Sequence, residues 1–174
     1  AIMFHSFAAL NEIAALNERR TRDVPDLADK PQFQPKAEPA PLWKKRHTAA
    51  HVLAQAVLEV FPDARLAIGP PIDDGFYYDF DLPRTLTPDD LSDIEARMRR
   101  IQGENLPLTR SEKPRADALA YEDARGQTYK TELINDLPAG EAISFYTQGT
   151  FTDLCRGPHV ASTGEIGGAF KLDH

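Results

Sequence analysis

The sequence predicts an α+β fold in which helices pack on an antiparallel sheet. Segments with helical spacing of apolar residues are interspersed with strand-like segments, without the regular β-α-β order of a parallel sheet. Residues 65–82 and 143–154 each hold two strand-like runs around a turn, which is typical of antiparallel hairpins. Apolar residues make up 41% of the 174 residues, enough for the core of one domain of about 130 residues. An N-terminal helix and a proline-rich arm are expected to precede that domain.

Residues 1–22 are predicted to form the N-terminal helix. Glu12 and Glu18 are atypical of a transit peptide, and the segment lacks the pattern of a secretory signal. A docking helix and a linker are the two interpretations that remain. The apolar residues near helical spacing are Phe4, Phe7, Leu10, Ile13 and Leu16.

Residues 23–43 are predicted to form an extended, partly polyproline-like linker, because five prolines occur there with few large apolar residues. The linker ends at Trp43. The three basic residues after it either contact phosphates or lie in solvent at the start of a helix. They are Lys44, Lys45 and Arg46.

A folded domain is expected over residues 44–174, beginning with a helix over residues 44–60. Residues 65–82 then read as strand, turn and strand, and Phe76, Tyr78 and Phe80 alternate with more polar residues, which predicts one buried face. The apolar residues that the first helix is expected to bury are Val52, Leu53, Ala56, Val57 and Val60.

The next helix has a clear start signal. Thr87 is a good N-cap, Pro88 suits the first helical position, and acidic residues follow in the first turn. Gly103 is expected to end this helix, Pro114 to open another and Gly126 to end that one. The remaining predicted elements are a strand over Leu106–Glu112, a helix over Tyr129–Asp136, and strands over Ile143–Thr147, Thr150–Leu154 and Ala169–Leu172.

Composition excludes several classes of protein. The net charge of −7 is atypical of a general nucleic-acid binder, although a domain that handles only the end of a nucleic acid remains compatible with it. One cysteine excludes an internal disulfide framework and fits a reducing compartment. No run of 18 apolar residues occurs, so no membrane span is expected. We therefore expect a cytoplasmic protein, with a mitochondrial location as the alternative.

Two pairs of residues predict a common site. His47 and His51 are four apart in a predicted helix, so both imidazoles lie on one face. Cys155, the sole cysteine, is followed four residues later by His159. Three histidines and a cysteine form a complete tetrahedral zinc set, or three ligands and a group that activates water.

From about residue 46 onward, four motifs resemble one family. R-H-T-A-A-H, A-I-G-P-P-I-D-D-G-F-Y-Y-D-F-D, Y-K-T-E-L-I and D-L-C-R-G-P-H-V are similar to the editing domain, or second additional domain, of bacterial-type threonyl-tRNA synthetase, which is related to that of alanyl-tRNA synthetase. Ala49 and Ala50 stand where the family often has a cysteine. Neither an ATP-binding motif nor a class II synthetase motif is present in the sequence, and residues 1–43 do not resemble the small ubiquitin-like domain that normally precedes editing.

The resemblance implies hydrolysis of mischarged seryl-tRNA(Thr), whose acceptor end would be the partner. Serine is threonine without one methyl group, and that difference supplies only about 1–3 kcal/mol of discrimination. A synthetase therefore needs a second site that removes the wrong amino acid.

The resemblance also implies the roles of individual residues. His47 and His51 would bind or activate water, and Lys130 would stabilise negative charge or hold the tRNA end. Asp153 would orient groups or bind the serine amino group, and Tyr78 would line the pocket. Two mechanisms stay open: a zinc ion held by the predicted set, or a histidine general base with Lys130 and no metal. The metal ligands would be His47, His51, Cys155 and His159.

Three interpretations of the whole chain remain. The first is an editing hydrolase, either freestanding or part of a threonine–tRNA ligase. Its N-terminal arm would then contact the core of the synthetase or a large assembly. The second is a structural subunit of a large assembly, for example a mitochondrial ribosome, that reuses the fold. The third is a zinc-stabilised interaction module. The joint presence of the predicted site residues favours the hydrolase.

Overall fold

The structure, a computed structural model, describes residues 41–172. The predicted N-terminal helix over residues 1–22, most of the linker over residues 23–43, and residues 173–174 lie outside the described residues. The four helices are α1 (Pro41–Val60), α2 (Pro88–Gly103), α3 (Arg115–Ala124) and α4 (Thr128–Asp136), and a 3₁₀ turn spans Thr163–Ile166. The strands are β1 (Arg65–Leu66), β2 (Pro71–Ile72), β3 (Gly75–Phe76), β4 (Phe80–Asp81), β5 (Leu108–Lys113), β6 (Ile143–Gln148) and β7 (Phe151–Leu154).

All strand pairing in the described residues is antiparallel, which confirms the predicted α+β class. It is divided among three small sheets: β1 pairs with β4, β2 with β3, and β5, β6 and β7 form a meander. In the meander Ser111 lies opposite Phe145, and Tyr146 lies opposite Asp153. The β6–β7 pair thus places the strand that precedes Cys155 beside the partly exposed Tyr146.

Helix α1 is the centre of the larger core. It is helical from Pro41, the first of the described residues and three residues before the predicted start. Val52, Leu53, Ala56 and Val57 are fully buried as predicted, whereas Val60 at the last position is only partly buried. Phe76, Tyr78 and Phe80 pack in the same core and confirm the alternation seen in the sequence.

Helix α2 begins as its sequence predicts. The Thr87 side chain accepts a hydrogen bond from the Asp90 N–H, while the Asp90 carboxylate accepts one from the Thr87 N–H. This reciprocal arrangement satisfies two backbone donors that a helix start otherwise leaves unpaired. The helix ends at Gly103.

The last predicted strand, Ala169–Leu172, is wrong. This segment has no strand partner in residues 41–172; side chains of α2 bind its backbone instead. Glu95 Oε2 accepts the Leu172 N–H at 3.0 Å, and the Arg99 guanidinium donates to the Phe170 carbonyl at 2.9 Å. Leu172 is buried, but its backbone is satisfied by side chains of α2 and not by a neighbouring strand.

The helices of the described part of the chain are each too short or too polar to cross a membrane.

Candidate active site

Helix α1 presents two histidines to one site. His47 and His51 are 8% and 2% exposed, and their ring centroids are 5.4 Å apart. The pair lies on one helical face because the residues are four apart. His159 comes from the loop after β7 and packs against both rings, with centroids 4.0 Å from His47 and 4.2 Å from His51. The spacing on α1 accounts for the pair, and the fold brings His159, predicted from the C-x-x-x-H spacing, against both rings.

The hydrogen bonds of His47 and His159 define their tautomers. His47 Nδ1 lies 3.1 Å from the Pro158 carbonyl, which only accepts, so Nδ1 carries the proton. The Thr48 hydroxyl donates to the Lys44 carbonyl and also lies 3.1 Å from His159 Nδ1. With that hydrogen on the Lys44 carbonyl, Thr48 accepts from Nδ1 of His159, and we assign the proton of that ring to Nδ1. Both rings are left with a lone pair on Nε2.

Cys155 lies between these lone pairs. Its Sγ is 3.3 Å from Nε2 of His47 and 3.3 Å from Nε2 of His159, and it accepts the Gly157 N–H at 3.2 Å. Desolvation raises the pKa of the Cys155 thiol to about 12. A thiol has one hydrogen, so it can satisfy only one of the two facing nitrogens. One of these two Nε2 lone pairs therefore has no hydrogen-bond donor from the thiol.

The three histidines are held neutral. Burial lowers the pKa of His47, and it lowers the pKa of His51 and His159 strongly, with mutual repulsion among the rings adding to the effect. A neutral imidazole has a lone pair for a proton or a metal ion. The site therefore presents bases and ligands rather than positive charges.

His51 connects this cluster to a second one. Its Nε2 is 3.7 Å from Asp153 Oδ2, and its Nδ1 is buried without a hydrogen-bond partner. The nearby carboxylate favours the tautomer with the proton on Nε2. Nδ1 of His51 is then a second unpaired acceptor, beside the Nε2 that the thiol does not satisfy, and a buried acceptor without a partner is costly unless a water, substrate or ion supplies one.

Lys130, Tyr78 and Asp153 form the second cluster. Lys130 Nζ lies 2.8 Å from Asp153 Oδ1 and donates to the Tyr78 hydroxyl at 2.9 Å, and Tyr78 donates to Asp153 Oδ2 at 2.5 Å. All three residues are nearly inaccessible to solvent. Burial and the Asp153 charge raise the pKa of Tyr78 well above its ordinary value, so it stays a phenol that can donate.

Two glycines make close approaches around the site. A Cβ on Gly69 would lie 2.1 Å from the Tyr78 ring, which also stacks on Phe80 at a centroid distance of 4.9 Å. A Cβ on Gly157 would lie 2.3 Å from the Tyr146 hydroxyl, and Gly157 has a φ of +75°. Glycine is the residue that tolerates both constraints.

The donor atoms fit a metal ion. Those of the His47, His51, Cys155 and His159 group lie within 4.8 Å of one another, and no other such group occurs within residues 41–172. The 3.3 Å separations between Sγ and the two Nε2 atoms are close to the edge of a zinc tetrahedron, about 3.5 Å. The second nitrogen of each ring faces a carbonyl, a hydroxyl or a carboxylate, the usual outer partners of metal-bound histidines. Three imidazoles and one cysteine sulfur are a donor set that suits zinc.

All seven site residues predicted from the sequence converge in the structure. Sequence reasoning missed three others: Thr48, which orients His159; Tyr146, whose ring centroid is 4.4 Å from that of His159; and Glu122, a fully buried carboxyl. Thr48 lies inside the H-x-x-x-H motif, and that position was a usable signal. Tyr146 and Glu122 carry no local signal, because only the fold shows where they lie.

Comparison of the sequence with known proteins places the chain in a family. Residues 143–173 match the threonyl and alanyl tRNA synthetase second additional domain. The chain is 56% identical over 121 residues to a threonine–tRNA ligase of Clostridioides difficile, covering 70% of this chain and 19% of the relative. It is 56% identical over 127 residues to that of Acidithiobacillus ferrooxidans and 55% identical over 127 residues to that of Rhodospirillum rubrum, each covering 73% of this chain and 20% of the relative. The chain contains a second additional domain of the threonyl-tRNA synthetase family.

The matches to the ligases cover 70–73% of the chain, and the chain spans about a fifth of the length of the curated relatives it matches. The family match includes β6, β7 and the loop that holds Cys155 and His159. The longer matches to the ligases cover more of the domain, and they agree with the resemblance that the sequence motifs predicted.

Proposed function

We propose that the domain hydrolyses the ester bond of a mischarged aminoacyl-tRNA, with seryl-tRNA(Thr) as substrate. The observation that carries the proposal is the 3.7 Å approach of His51 Nε2 to Asp153 Oδ2, which joins a cluster of neutral bases to a cluster of buried charges. Ester hydrolysis needs a group that activates water and a charge that stabilises the oxyanion. The two clusters together supply both.

Asp153 is proposed to bind the serine ammonium group. In the described structure its carboxylate is already paired with Lys130 and Tyr78. A substrate ammonium would compete with Lys130 for the same oxygens, and the displaced Lys130 would be free to turn toward the ester. Binding of the correct group would thus place the cation where negative charge develops.

Without a bound metal ion, water activation is proposed to use the histidine lone pairs. Nε2 of His47 and Nδ1 of His51 are acceptors on neighbouring rings, and both rings are neutral because burial lowers the pKa of each. A water held by them gives its proton to one ring as its oxygen bonds to the ester carbonyl carbon. That proton then passes to the ribose oxygen when the ester bond breaks, which regenerates the neutral histidine.

Lys130 is proposed to stabilise the tetrahedral oxyanion. Its Nζ is buried, so its charge acts through a poorly screening environment. Tyr78 is a second donor in the same place. Its ring stacks on Phe80 and lies so close to Gly69 that no side chain would fit there, so the ring would have little room to yield to the extra methyl of threonine. A rigid wall of this kind discriminates by exclusion rather than by missing contacts.

Zinc is proposed as a ligand of the site, held by His47, His51, Cys155 and His159. When bound, it would supply a Lewis acid and lower the pKa of a coordinated water. The roles of Asp153 and Lys130 in binding the amino group and stabilising charge are the same with or without the ion.

The context of the activity is also a proposal. The partner is the acceptor end of a mischarged tRNA, and the domain serves a threonine–tRNA ligase, whether within one chain or as a separate protein. The relatives named above are bacterial ligases, so we propose a cytoplasmic location; they offer no support for a mitochondrial one. Phosphate contacts dominate nucleic-acid affinity, and the chain has a net charge of −7, so binding of tRNA by this chain alone is expected to be weak.

The test is deacylation of seryl-tRNA(Thr) and threonyl-tRNA(Thr) at high protein concentration, with and without a chelator. We expect loss of serine but not of threonine, and a fall of at least about a hundredfold in His51→Ala and Lys130→Ala, in keeping with the usual contribution of such groups. Leu133→Ala is the control on α4, because Leu133 is 36% exposed and lies three residues from Lys130. Hydrolysis of neither substrate would reject the hydrolase and favour the structural subunit.

A further inference from the structure

Trp43 lies in line with the two α1 histidines. Trp43, His47 and His51 are each four residues apart on α1, so they follow one face at intervals of about 6 Å. Exposure falls along this line: Trp43 is partly exposed, His47 is 8% exposed and His51 is 2% exposed. The face thus runs from the protein surface at Trp43 to the buried groups beside Asp153.

The aromatic rings are in contact along the same line. The Trp43 and His47 ring centroids are 5.1 Å apart at 67°, and His47 stacks on His159 at 4.0 Å. An indole at the outer end of a set of rings is a large, rigid and apolar surface beside a polar site. Nothing in the chemistry proposed above uses it.

We propose that Trp43 is the platform on which the base of the terminal nucleotide stacks while its amino acid is hydrolysed. This proposal rests on the proposed function and deepens it. The amino acid of the substrate would lie beside Asp153 and its ester beside His47. The base, attached to the other side of the same ribose, then extends outward along α1, one helical turn from His47, where the indole lies.

Base stacking would supply binding affinity that the net negative charge of the chain does not. With a net charge of −7, the chain gains little from phosphate contacts overall. A base stacked on an aromatic side chain contributes about a fivefold to hundredfold gain in affinity, and every base offers a π face for it. Lys44, Lys45 and Arg46 directly follow Trp43 and are the only local run of positive charge at this end of the site within the described residues. A neighbouring phosphate therefore meets a locally favourable potential.

Trp43 is the sole tryptophan of the chain, so its fluorescence reports on the site directly. The probe is seryl-adenosine in which an amide replaces the ester, a ligand that the protein cannot hydrolyse as an ester. We expect saturable quenching of the Trp43 fluorescence of the full chain. The same serylamino-ribose without the base is the matched ligand, and we expect it to bind at least about tenfold more weakly and to leave the fluorescence nearly unchanged.

Variants separate stacking from folding. Trp43→Ala is expected to raise KM for seryl-tRNA(Thr) about tenfold with kcat nearly unchanged, and Trp43→Phe is expected to restore most of the loss because it keeps an aromatic face. Leu42→Ala is the control, since Leu42 is the adjacent α1 residue and is 55% exposed. Thermal unfolding of each variant checks that the fold is retained.

Failure of this proposal is distinct from failure of the hydrolase. If wild type hydrolyses seryl-tRNA(Thr) while Trp43→Ala keeps the wild-type KM, the stacking platform is wrong and the proposed function stands. If wild type hydrolyses nothing, the proposed function is wrong, and calorimetric binding of the amide probe still decides the role of Trp43. Equal affinity of the probe and its base-free form, or no binding of either, would overturn the proposal.

Discussion

Lys130 and Asp153 form an ion pair inside the protein. Their Nζ and Oδ1 atoms are 2.8 Å apart, and each side chain is 3% exposed. Tyr78 bonds to both partners and closes a triangle. Burial of two charges is costly unless they pair and their remaining hydrogen-bonding capacity is satisfied, and here Tyr78 supplies a large part of that. The fold accommodates the intact pair, and loss of either member is expected to lower the free energy of unfolding.

Removing one member of this pair is expected to be strongly destabilising. Lys130→Met leaves the Asp153 carboxylate buried without its cation, and we expect the free energy of unfolding to fall by about 3–5 kcal/mol. Urea unfolding followed by circular dichroism measures it. Because Lys130 also has a proposed catalytic role, the measurement is of stability and not of activity.

The matched control is an ion pair of similar length at the surface. Arg110 and Glu112 are 2.7 Å apart, and their side chains are 45% and 51% exposed. Arg110→Met should cost at most about 1 kcal/mol, since solvent screens exposed pairs. Equal losses for the two variants would show that the Lys130–Asp153 pair contributes no more than a surface pair.

Glu122 is expected to make stability depend on pH. Its carboxyl is fully buried, and desolvation raises its pKa from 4.5 to about 7. A carboxyl with a raised folded-state pKa stabilises the fold below pH 4.5, and this contribution is lost as the pH rises through about 7. Relative to wild type, Glu122→Gln should therefore gain at most about 3 kcal/mol between about pH 4 and about pH 8. Denaturant unfolding at several pH values measures it.

The difference between variant and wild type isolates Glu122 from the buried histidines, whose lowered pKa values also make stability depend on pH. The control is Glu132→Gln at an exposed position on α4. Its effect should stay within about 0.5 kcal/mol at every pH. A Glu122→Gln difference that does not change with pH would contradict the raised pKa.

Gly157 is expected to be intolerant of a side chain. Gly157→Ala places a Cβ at a φ of +75° and 2.3 Å from the Tyr146 hydroxyl, so either Tyr146 or the loop before His159 must move. We expect a loss of about 1–3 kcal/mol in the free energy of unfolding and a matching loss of deacylation, because the displaced loop also positions Cys155. Thermal and urea unfolding measure the first effect.

The control for Gly157→Ala is the same change at Gly103, at the end of α2, where an added Cβ meets no atom within 4 Å. Gly103→Ala should be neutral or stabilising by up to about 1 kcal/mol, because alanine has the higher helix propensity. If both alanine variants were equally stable, the close approach at Gly157 would have no energetic consequence.

Zinc binding is expected to release a proton. The Cys155 thiol has a pKa of about 12 without metal, and a zinc ligand must be the thiolate. Calorimetry in two buffers with different ionisation enthalpies should show one ion bound and about one proton released near pH 7. Cys155→Ser should weaken binding by at least about tenfold, since even loss of an outer partner of a zinc ligand costs that much.

The opposite result has a clear meaning. If the protein bound no zinc, and a chelator changed neither its stability nor its deacylation activity, the zinc proposal would be wrong. The histidine general base with Lys130 would then be the mechanism.

The sequence predicted helices correctly where residues close together in the chain determine the helix. The Thr87 cap and the period of α1 predicted their elements within a few residues, because capping and helical spacing are properties of neighbouring positions. The strand expected over Ala169–Leu172 failed because alternation marks a buried face but does not supply a strand partner. That backbone is satisfied by Glu95 and Arg99, which lie about 70 positions away in the sequence.

For the site, the sequence by itself determined the chemistry. H-x-x-x-H on a helix and C-x-x-x-H after a strand predicted a set of imidazole and thiol groups able to act as bases or metal ligands, because residue type and spacing are enough for that prediction. Only the tertiary structure decided which atoms of that set carry protons and which hydrogen bonds they make. Thr48 and the Pro158 carbonyl select the tautomers of two rings, and burial determines which groups are charged. Those properties depend on atoms brought together by packing, which no local pattern in the chain encodes.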